Sequence, residues 1–388
     1  VNLKEGRNLD TPQVVYERYV LGKMDGTNAS TSSVSKMCWD KVKWNSRPNA
    51  HNQNPQIAKC DDGNYYAIFS YQGDANSVQI AGDFTEWKPK QLRFEIRAEG
   101  VSSNTINRTA IKFSPTARVE YKLIVDGKWI TDPLNPNKVD NGVGGENSFF
   151  TMPDYKPTTW DDKKGESPNA HDVQRINSKI YGEREVEVYV PEGFEKQPLP
   201  VMYLQDGNNY QTYAKAIQIQ RNLVKANKIK PFIMVALNPK DRNKEYWAND
   251  DYAKFLAEEV VPMIDSKYNT IKSRDGRAVM GASLGGITAV HVGLKYPNVF
   301  SRIGGQSVSW WIDNERIVKE MEKLGAKERL KVSYYIDDGT LEGVEDSRKA
   351  VEILRRFGYD VTYIEGETGH NWTAWRDRLA DAFIALWK

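Results

Sequence analysis

Residues 65–152 alternate apolar and polar positions with a period of two, a pattern typical of half-buried β-strands. The clearest example is Arg118–Val125, which is followed by Asp126-Gly127 and then by Lys128–Ile130, and this order predicts a β-hairpin. Two further strands are predicted at Tyr65–Tyr71 and Ser77–Gly82. Because no helical periodicity interrupts them, we predict a small β-sandwich over 65–152.

Residues 175–388 show a different pattern, in which short apolar runs alternate with stretches of helical periodicity. Strands are predicted at Glu185–Val190, Val201–Leu204, Phe232–Leu237, Arg277–Met280, Arg302–Gly305, Val332–Ile336 and Val361–Ile364. Helices are predicted at Tyr252–Tyr268, Gly286–Tyr296 and Val344–Phe357. Strands that alternate with helices indicate βαβ units and a mostly parallel sheet.

The chain therefore divides into four predicted parts. An irregular N-terminal segment covers 1–64, and a linker rich in Pro, Lys and Asp covers 153–174. The β-sandwich at 65–152 lies between them, and the α/β domain covers 175–388. The predicted fold class is an α/β-hydrolase domain preceded by an immunoglobulin-like (early-set) β-sandwich.

Composition and charge exclude several classes of protein. Of 388 residues, 39% are hydrophobic and 27% charged, which is typical of a globular chain. The 54 Lys and Arg residues against 52 Asp and Glu residues give a net charge of +2, too balanced for the basic face of a nucleic-acid-binding protein. No run approaches the 18 apolar residues of a membrane span. The sequence does not indicate the oligomeric state.

The two cysteines, Cys38 and Cys60, both lie in the irregular N-terminal segment. They form no Cys-x-x-Cys spacing, which excludes a zinc or iron–sulfur site built on thiolates. A disulfide between them would hold a segment without a core of its own, and the alternative is two free thiols. No signal peptide is visible at the polar start, Val1–Lys4. We expect a periplasmic or secreted protein, with the cytoplasm as the alternative.

The candidate nucleophile is Ser283, in the sequence Gly-Ala-Ser-Leu-Gly at 281–285. This Gly-x-Ser-x-Gly motif follows one predicted strand and begins the next predicted helix, which is the strand–turn–helix that a nucleophile elbow needs. The glycines permit a tight turn and close approach of a substrate, and N–H groups at the helix start face a developing oxyanion. The alternative is an ordinary serine in a glycine turn.

The candidate general base is His370, which lies between the last predicted strand and the final helix. This position fits the chain order serine, acid, histidine. The other histidines fit less well: His51 is in the N-terminal segment, His171 in the predicted linker, and His291 within the helix after Ser283.

A carboxylate is needed to orient the histidine and to stabilise its charged form. Asp337, Asp338 and Glu342 all follow the penultimate predicted strand. We favour Glu342, because the turn before it can direct its side chain back to His370, and Asp338 is the alternative.

The oxyanion hole is predicted from two backbone N–H groups, those of Leu284 and Asn208. Leu284 follows the nucleophile, and Asn208 follows Asp206-Gly207 at the end of an early strand, where the second donor normally lies. The alternative for Asp206-Gly207 is a plain turn.

These motifs resemble the esterase D family of α/β-hydrolases, which includes enterochelin esterases, family 1 carbohydrate esterases such as feruloyl and acetylxylan esterases, and mycolyltransferases. The resemblance covers about 175–388 and rests on Leu204–Gly207, Gly281–Gly286, Gly305–Trp311 and His370 with Trp375-Arg376. The last two stretches are most similar to the enterochelin-esterase branch. The resemblance implies a triad of Ser283, Glu342 and His370. It also implies substrate-binding roles for Asp206, Trp310 and Trp311, although the paired Trp could equally belong to the core.

The segment 65–152 resembles family 48 carbohydrate-binding modules, through Ile80–Trp87, Tyr121–Trp129, Asp132–Pro136 and Glu146-Asn147. The resemblance implies sugar contacts by Trp87, Lys122, Trp129 and Asn147. Trp rings stack on pyranoses, and Lys or Asn side chains reach sugar hydroxyls. The alternative is a structural domain in which at least one of the two Trp residues is buried by packing.

Together these features predict a serine carboxylic-ester hydrolase that works through an acyl-enzyme and needs no metal or organic cofactor. The expected substrate is a small-molecule or glycan-linked ester, either of enterochelin type or a feruloyl or acetyl group on a glycan. The alternatives are an acyltransferase, which uses the same triad, and a glycan-binding protein with a vestigial hydrolase fold.

Overall fold

The computed structural model describes residues 54–60, 62–73, 75–94, 106–162, 171–325 and 331–387. Contacts divide the chain into two units. The β-rich unit contains the chain up to Lys156 together with two short segments, Thr340–Glu342 and Glu367–Gly369. The α/β unit contains the remaining residues from Pro157 onward. The predictions for Cys38 and His51 lie outside the described residues.

The β-rich unit is built from short strands in two sheets. The first sheet has the order β1-β2-β6-β5 and the second the order β4-β3-β7-β10-β9, with β8 paired to β7. The predicted hairpin is confirmed, since β7 and β8 pair antiparallel. The strands are β1 (Gln56–Lys59), β2 (Tyr65–Gln72), β3 (Val78–Gly82), β4 (Lys90–Gln91), β5 (Arg93–Phe94), β6 (Ile106–Phe113), β7 (Arg118–Val125), β8 (Lys128–Ile130), β9 (Lys138–Asp140) and β10 (Glu146–Thr151).

Alternating side chains of these strands form one apolar core. At its centre the rings of Phe69, Tyr121 and Phe150 meet edge to face, with centroids 5.0–6.0 Å apart. The Tyr121 hydroxyl is also satisfied, because it donates to Oδ2 of buried Asp132 at 2.7 Å. This hydrogen bond therefore attaches the loop at Asp132–Pro136 to the apolar core.

The α/β unit contains an eight-stranded sheet of order β11-β12-β14-β13-β15-β16-β17-β18. β12 pairs antiparallel with both β11 and β14. From β14 to β18 in this order, each strand pairs parallel with the next. The strands are β11 (His171–Ser178), β12 (Gly182–Tyr189), β13 (Val201–Gln205), β14 (Ile233–Leu237), β15 (Arg277–Ala282), β16 (Arg302–Gln306), β17 (Ser333–Gly339) and β18 (Asp360–Gly366).

Helices cover both faces of this sheet. Along β13, Val201 and Tyr203 belong to one apolar cluster and Met202 and Leu204 to another, as the period of two requires. The helices are α1 (Gly207–Thr212), α2 (Ala216–Lys225), α3 (Arg242–Glu245), α4 (Asp250–Lys254), α5 (Val261–Lys267), α6 (Leu284–Lys295), α7 (Arg316–Gly325), α8 (Glu345–Arg356) and α9 (Trp372–Trp387). No helix in the described ranges is long and apolar enough to cross a bilayer.

Three predicted segments differ from the structure. The segment predicted to be irregular at 1–64 contains β1, at Gln56–Lys59, which pairs with β2. The linker predicted at 153–174 overlaps β11, which begins at His171. This edge strand is mostly exposed, so it lacks the apolar pattern that marks a buried strand. The helix predicted at Tyr252–Tyr268 begins two residues earlier, in α4, and continues through a π-helical segment at Phe255–Val260 into α5.

Candidate active site

Ser283 occupies a strained turn between β15 and α6. Its backbone has φ 57° and ψ −121°, a conformation that residues with a side chain rarely adopt. The turn is closed by the Ser283 N–H, which donates to the Gln306 carbonyl at 2.8 Å. A Cβ at position 281 would lie 2.4 Å from the Gly285 backbone, so only glycine fits there. The structure thus has the strand, tight turn and helix of a nucleophile elbow.

The Ser283 hydroxyl lies beside a second hydroxyl that sequence reasoning missed. The Oγ atoms of Ser283 and Ser309 are 3.4 Å apart, and the Ser309 N–H donates to the Ser283 carbonyl at 3.3 Å. The connection after β16 brings Ser309 there through Ser307, whose φ is 45°. The only signal in the sequence was the Gln-Ser-Val-Ser run at 306–309, which the resemblance matched without assigning it a role.

β15, β17 and β18 belong to the parallel part of the sheet, so the loops after them all leave from the carboxyl ends of the strands. Ser283 follows β15 and His370 follows β18, as the sequence predicted. The His370 ring is half-buried and meets the Trp375 ring edge to face, with centroids 5.0 Å apart. α/β proteins place their active sites at the carboxyl ends of the parallel strands.

The other two described histidines have different surroundings. His171 lies on β11, the far edge strand of the sheet, where its Nε2 atom is 4.0 Å from Glu187 Oε2. His291 is fully buried in α6, with its Nε2 atom 2.8 Å from Asp250 Oδ1. Burial lowers the pKa of His291, and Asp250 opposes that shift. Neither histidine lies in the loop that follows β18, where the general base is expected.

Asp337, the first carboxylate after the penultimate predicted strand, is engaged inside the fold. It is buried, and its two oxygens accept from Arg378 Nε and Gln306 Nε2, each at 2.8 Å. Burial raises the pKa of Asp337, and the Arg378 guanidinium opposes that shift. Asp338 comes next on β17 and points to the opposite face of the sheet. Asp338 and Glu342 therefore remain the candidate acids.

The predicted oxyanion donors have different environments. Leu284 is the first residue of α6, where N–H groups lack partners within the helix. The Asn208 N–H donates to Oδ1 of Asn238 at 3.0 Å. The neighbouring Asp206 N–H donates to the Tyr246 hydroxyl at 3.0 Å. Asn208 can serve as a donor only when the Asn238 side chain releases it.

Asp206 forms an ion pair that the sequence did not predict. Both of its carboxylate oxygens accept from Arg242, at 2.9–3.1 Å, and the carboxylate is buried. Asp206 Oδ2 also lies 3.1 Å from where a Cβ of Gly285 would be, so the pair is next to the start of α6. Arg242 lies 36 residues further along the chain, and no local motif marks it.

The two tryptophans expected to bind substrate differ. Trp310 is 1% exposed, lies in the apolar core of the α/β unit, and donates from Nε1 to Ser347 Oγ at 2.8 Å. This burial favours the core alternative for Trp310 over the substrate-binding role that the resemblance implied. Trp311 is half-buried, and its ring meets that of Trp247 edge to face at 5.6 Å.

Of the four residues expected to contact sugar, Trp129 is the exposed one, at 42%. Lys122 and Trp87 are half-buried, and Trp87 donates from Nε1 to Asp83 Oδ1 at 3.3 Å. Asn147 is buried and donates to Glu120 Oε2 at 2.8 Å. Because the Asn147 amide already has a partner inside the fold, its sugar-contact role stays a prediction that this burial disfavours.

Comparison with known proteins agrees with this geometry. A family model described as a putative esterase matches residues 178–386, and one described as the glycogen recognition site of AMP-activated protein kinase matches residues 65–153. An α/β-hydrolase fold with a nucleophile elbow, matched by an esterase model, defines a carboxylic ester hydrolase. The chain belongs to the putative esterase family, and its N-terminal β-rich unit is similar to carbohydrate-binding modules.

Relatives of known name share parts of the chain. An endo-1,4-beta-xylanase/feruloyl esterase of Xylanibacter ruminicola is 28% identical over 219 residues, which are 52% of this chain and 29% of that protein. Iron(III) enterobactin esterase of Escherichia coli is 22% identical over 270 residues, 67% of this chain and 68% of that protein. The chain thus spans less than a third of the xylanase/feruloyl esterase.

Solved structures show the same fold. Ferric enterobactin esterase of Salmonella typhimurium has a TM-score of 0.70 and 19% identity, and the match covers 87% of this chain and 97% of that one. At this level of identity the likeness concerns the fold and not the substrate.

Proposed function

We propose that this esterase cleaves its substrate through a covalent acyl-enzyme formed on Ser283. The observation that carries the proposal is the strained backbone of Ser283 between β15 and α6. Such strain persists where the surrounding structure enforces it, and it clusters at active sites. Here it directs a serine toward the edge of the sheet from which the His370 loop also leaves.

The chemistry follows from these groups. The Ser283 oxygen attacks the ester carbonyl carbon while the His370 imidazole accepts the hydroxyl proton. The bond to the leaving alcohol then breaks, and His370 protonates that oxygen. Water attacks the acyl-enzyme in the same way, which releases the acid and restores Ser283. Glu342 orients His370 and stabilises its charged form.

The negative oxygen of the tetrahedral intermediate needs fixed donors. We assign this role to the N–H groups of Leu284 and Asn208. Leu284 begins α6, where the helix dipole adds to the stabilisation. Asn208 takes part when the intermediate oxygen replaces Oδ1 of Asn238 as the acceptor of its N–H group.

We propose that the acyl group carries an aromatic ring. The half-buried rings of Trp247 and Trp311 meet edge to face, and Trp311 is two residues from Ser309, whose Oγ is 3.4 Å from the nucleophile. Trp rings favour contact with another aromatic ring. The named relatives, an enterobactin esterase and a xylanase/feruloyl esterase, are consistent with either an ester whose acyl group bears a catechol amide or a hydroxycinnamate ester.

A panel of esters tests this assignment. We expect turnover of methyl ferulate and of a catecholate trilactone at a kcat/KM at least about 100-fold above that of acetylated xylan, because acetate offers no ring to the tryptophans. An aryl acetate serves as the control for intact chemistry. Preference for acetylated xylan would contradict the aromatic acyl group but leave Ser283 as nucleophile. No hydrolysis of any of the four, together with acyl transfer to an added alcohol, would favour the acyltransferase alternative.

For the β-rich unit we propose the immunoglobulin-like (early-set) arrangement that its two sheets and common apolar core support. Sugar binding would depend mainly on Trp129, because Asn147 and Trp87 donate to carboxylates of the same unit. One stacked ring contributes about 0.5–1.5 kcal/mol beyond area burial. That amounts to weak retention, so we propose a mainly structural role.

We propose a periplasmic or secreted location. Cys60 is a buried, disulfide-bonded cysteine, and disulfides persist in oxidising compartments. Because Cys38 is the other cysteine of the chain, titration of the denatured, unreduced protein should find no free thiol. Two free thiols would contradict the bridge and favour the cytoplasm.

A further inference from the structure

Two short segments from the second half of the chain group with the β-rich unit, Thr340–Glu342 and Glu367–Gly369. They are joined to each other, since the Leu341 N–H donates to the Thr368 carbonyl at 3.1 Å and the Thr340 hydroxyl donates to Glu367 Oε2 at 2.8 Å. The first segment contains the proposed acid, and the second ends one residue before His370.

Both segments are held by the strands of the β-rich unit. The Arg118 N–H, at the start of β7, donates to the Glu367 carbonyl at 3.0 Å. The Leu341 side chain packs against the apolar core that contains Phe113 and Phe150. The backbone leading into His370 is therefore held directly at Glu367. It is also held indirectly at Thr368, which is hydrogen-bonded to Leu341.

Gly369 lies directly against the Asp83 side chain. A Cβ at position 369 would lie 2.1 Å from Cγ and 2.3 Å from Oδ1 of Asp83, so any larger residue would overlap that carboxyl group. The φ of Gly369 is outside the left-handed region, so space, and not backbone conformation, requires glycine.

The Asp83 side chain is itself fixed in place. It is 2% exposed, its Oδ2 accepts from the Glu120 N–H at 2.8 Å, and its Oδ1 accepts from Trp87 Nε1 at 3.3 Å. Glu120 in turn accepts from Arg118 Nη1 at 2.8 Å in a buried ion pair. The surface against which Gly369 lies is thus a rigid polar cluster.

We infer that Asp83 is a positioning residue for catalysis, which fixes the backbone at Gly369 and thereby the place of the next residue, His370. This inference rests on the proposed function, in which His370 is the general base. A proton acceptor must lie within hydrogen-bond reach of the serine, and a displacement of about 1 Å can lower turnover about 100-fold. Asp83 would therefore affect ester cleavage through the backbone before His370, without contact with the substrate.

A double-mutant cycle tests this inference. In the full chain, Gly369→Ala should lower kcat on an aryl ester by about 10- to 100-fold with KM within threefold, because His370 moves while the binding surface stays. Active-site titration of the acyl-enzyme burst corrects for any unfolded fraction. In the Asp83→Gly background, which lacks all three atoms nearest the new Cβ, the same substitution should change kcat less than threefold.

The Asp83→Ala background gives an intermediate case, because Cβ of Asp83 remains at 2.5 Å, and it serves if Asp83→Gly does not fold. Gly145→Ala is the matched control. The atom nearest to a new Cβ there is Nδ2 of Asn141, 3.3 Å away at the end of a side chain, so kcat should stay within twofold of wild type.

Equal losses from Gly369→Ala in all backgrounds would overturn the inference, as would a folded Gly369→Ala protein with normal kcat. His370→Ala separates this result from failure of the proposed function. If His370→Ala keeps wild-type turnover, the proposed function is wrong. If it is inactive while the cycle is additive, only the role of Asp83 is wrong.

Discussion

Replacing Ser283 by Ala should lower kcat/KM on any ester by about 10⁴- to 10⁶-fold, the range seen when a catalytic serine is removed. The acyl-enzyme cannot form without Oγ, whereas the Leu284 N–H and the Trp247–Trp311 pair remain in place. The fold should be unaffected, because within the described residues the Ser283 hydroxyl gives up just the 3.4 Å contact with Ser309 Oγ. Steady-state kinetics on an aryl acetate and thermal unfolding measure the two effects.

The matched control is Ser301→Ala. Ser301 is also a buried serine of the α/β unit. It precedes β16 and so lies at the amino-terminal ends of the parallel strands, away from the loop of Ser283. Its loss should leave kcat/KM within about twofold. A Ser283→Ala protein that turns over at the wild-type rate, or that still shows an acyl-enzyme by mass spectrometry, would refute the proposed mechanism.

Glu342→Gln should lower kcat about 10²- to 10⁴-fold and less than His370→Ala does, because a carboxylate that orients histidine transfers no proton itself. Asp338→Asn should cost less than tenfold. Asp338 lies within β17, whereas Glu342 follows in the segment that is hydrogen-bonded through Leu341 to the residues before His370. Both substitutions keep the side-chain shape and remove the charge.

The kcat values of Glu342→Gln and Asp338→Asn on one aryl ester show which carboxylate orients His370. A large loss for Asp338→Asn with a mild loss for Glu342→Gln would assign the acid to Asp338. His370→Ala provides the scale, and unfolding curves of all three proteins show whether a loss comes from the fold.

The parts of the fold that were predictable are those whose signals are local. The elbow needs only a strand, the glycines around Ser283 and a helix, all within 277–295. The β7–β8 hairpin follows in the same way from Asp126-Gly127. The strand at His171–Ser178 was missed because an exposed edge strand carries no buried face to reveal it.

The parts that were not predictable depend on partners far along the chain. Trp310 is a core residue because its indole N–H meets Ser347, and Asn147 is buried because its amide meets Glu120. A resemblance carries over the residue type but not the partner that satisfies it. Arg242 beside Asp206 and Ser309 beside Ser283 were missed for the same reason.

The grouping of Thr340–Glu342 and Glu367–Gly369 with the β-rich unit limits how this gene can recombine. In sequence the unit ends at Lys156, yet six of its residues are encoded near the other end of the chain. A crossover at 156/157 would combine a foreign module with a Leu341 and a Gly369 shaped for the original one. Exchange of the residues up to Lys156 for those of another module should therefore also require changes at Leu341 and Gly369.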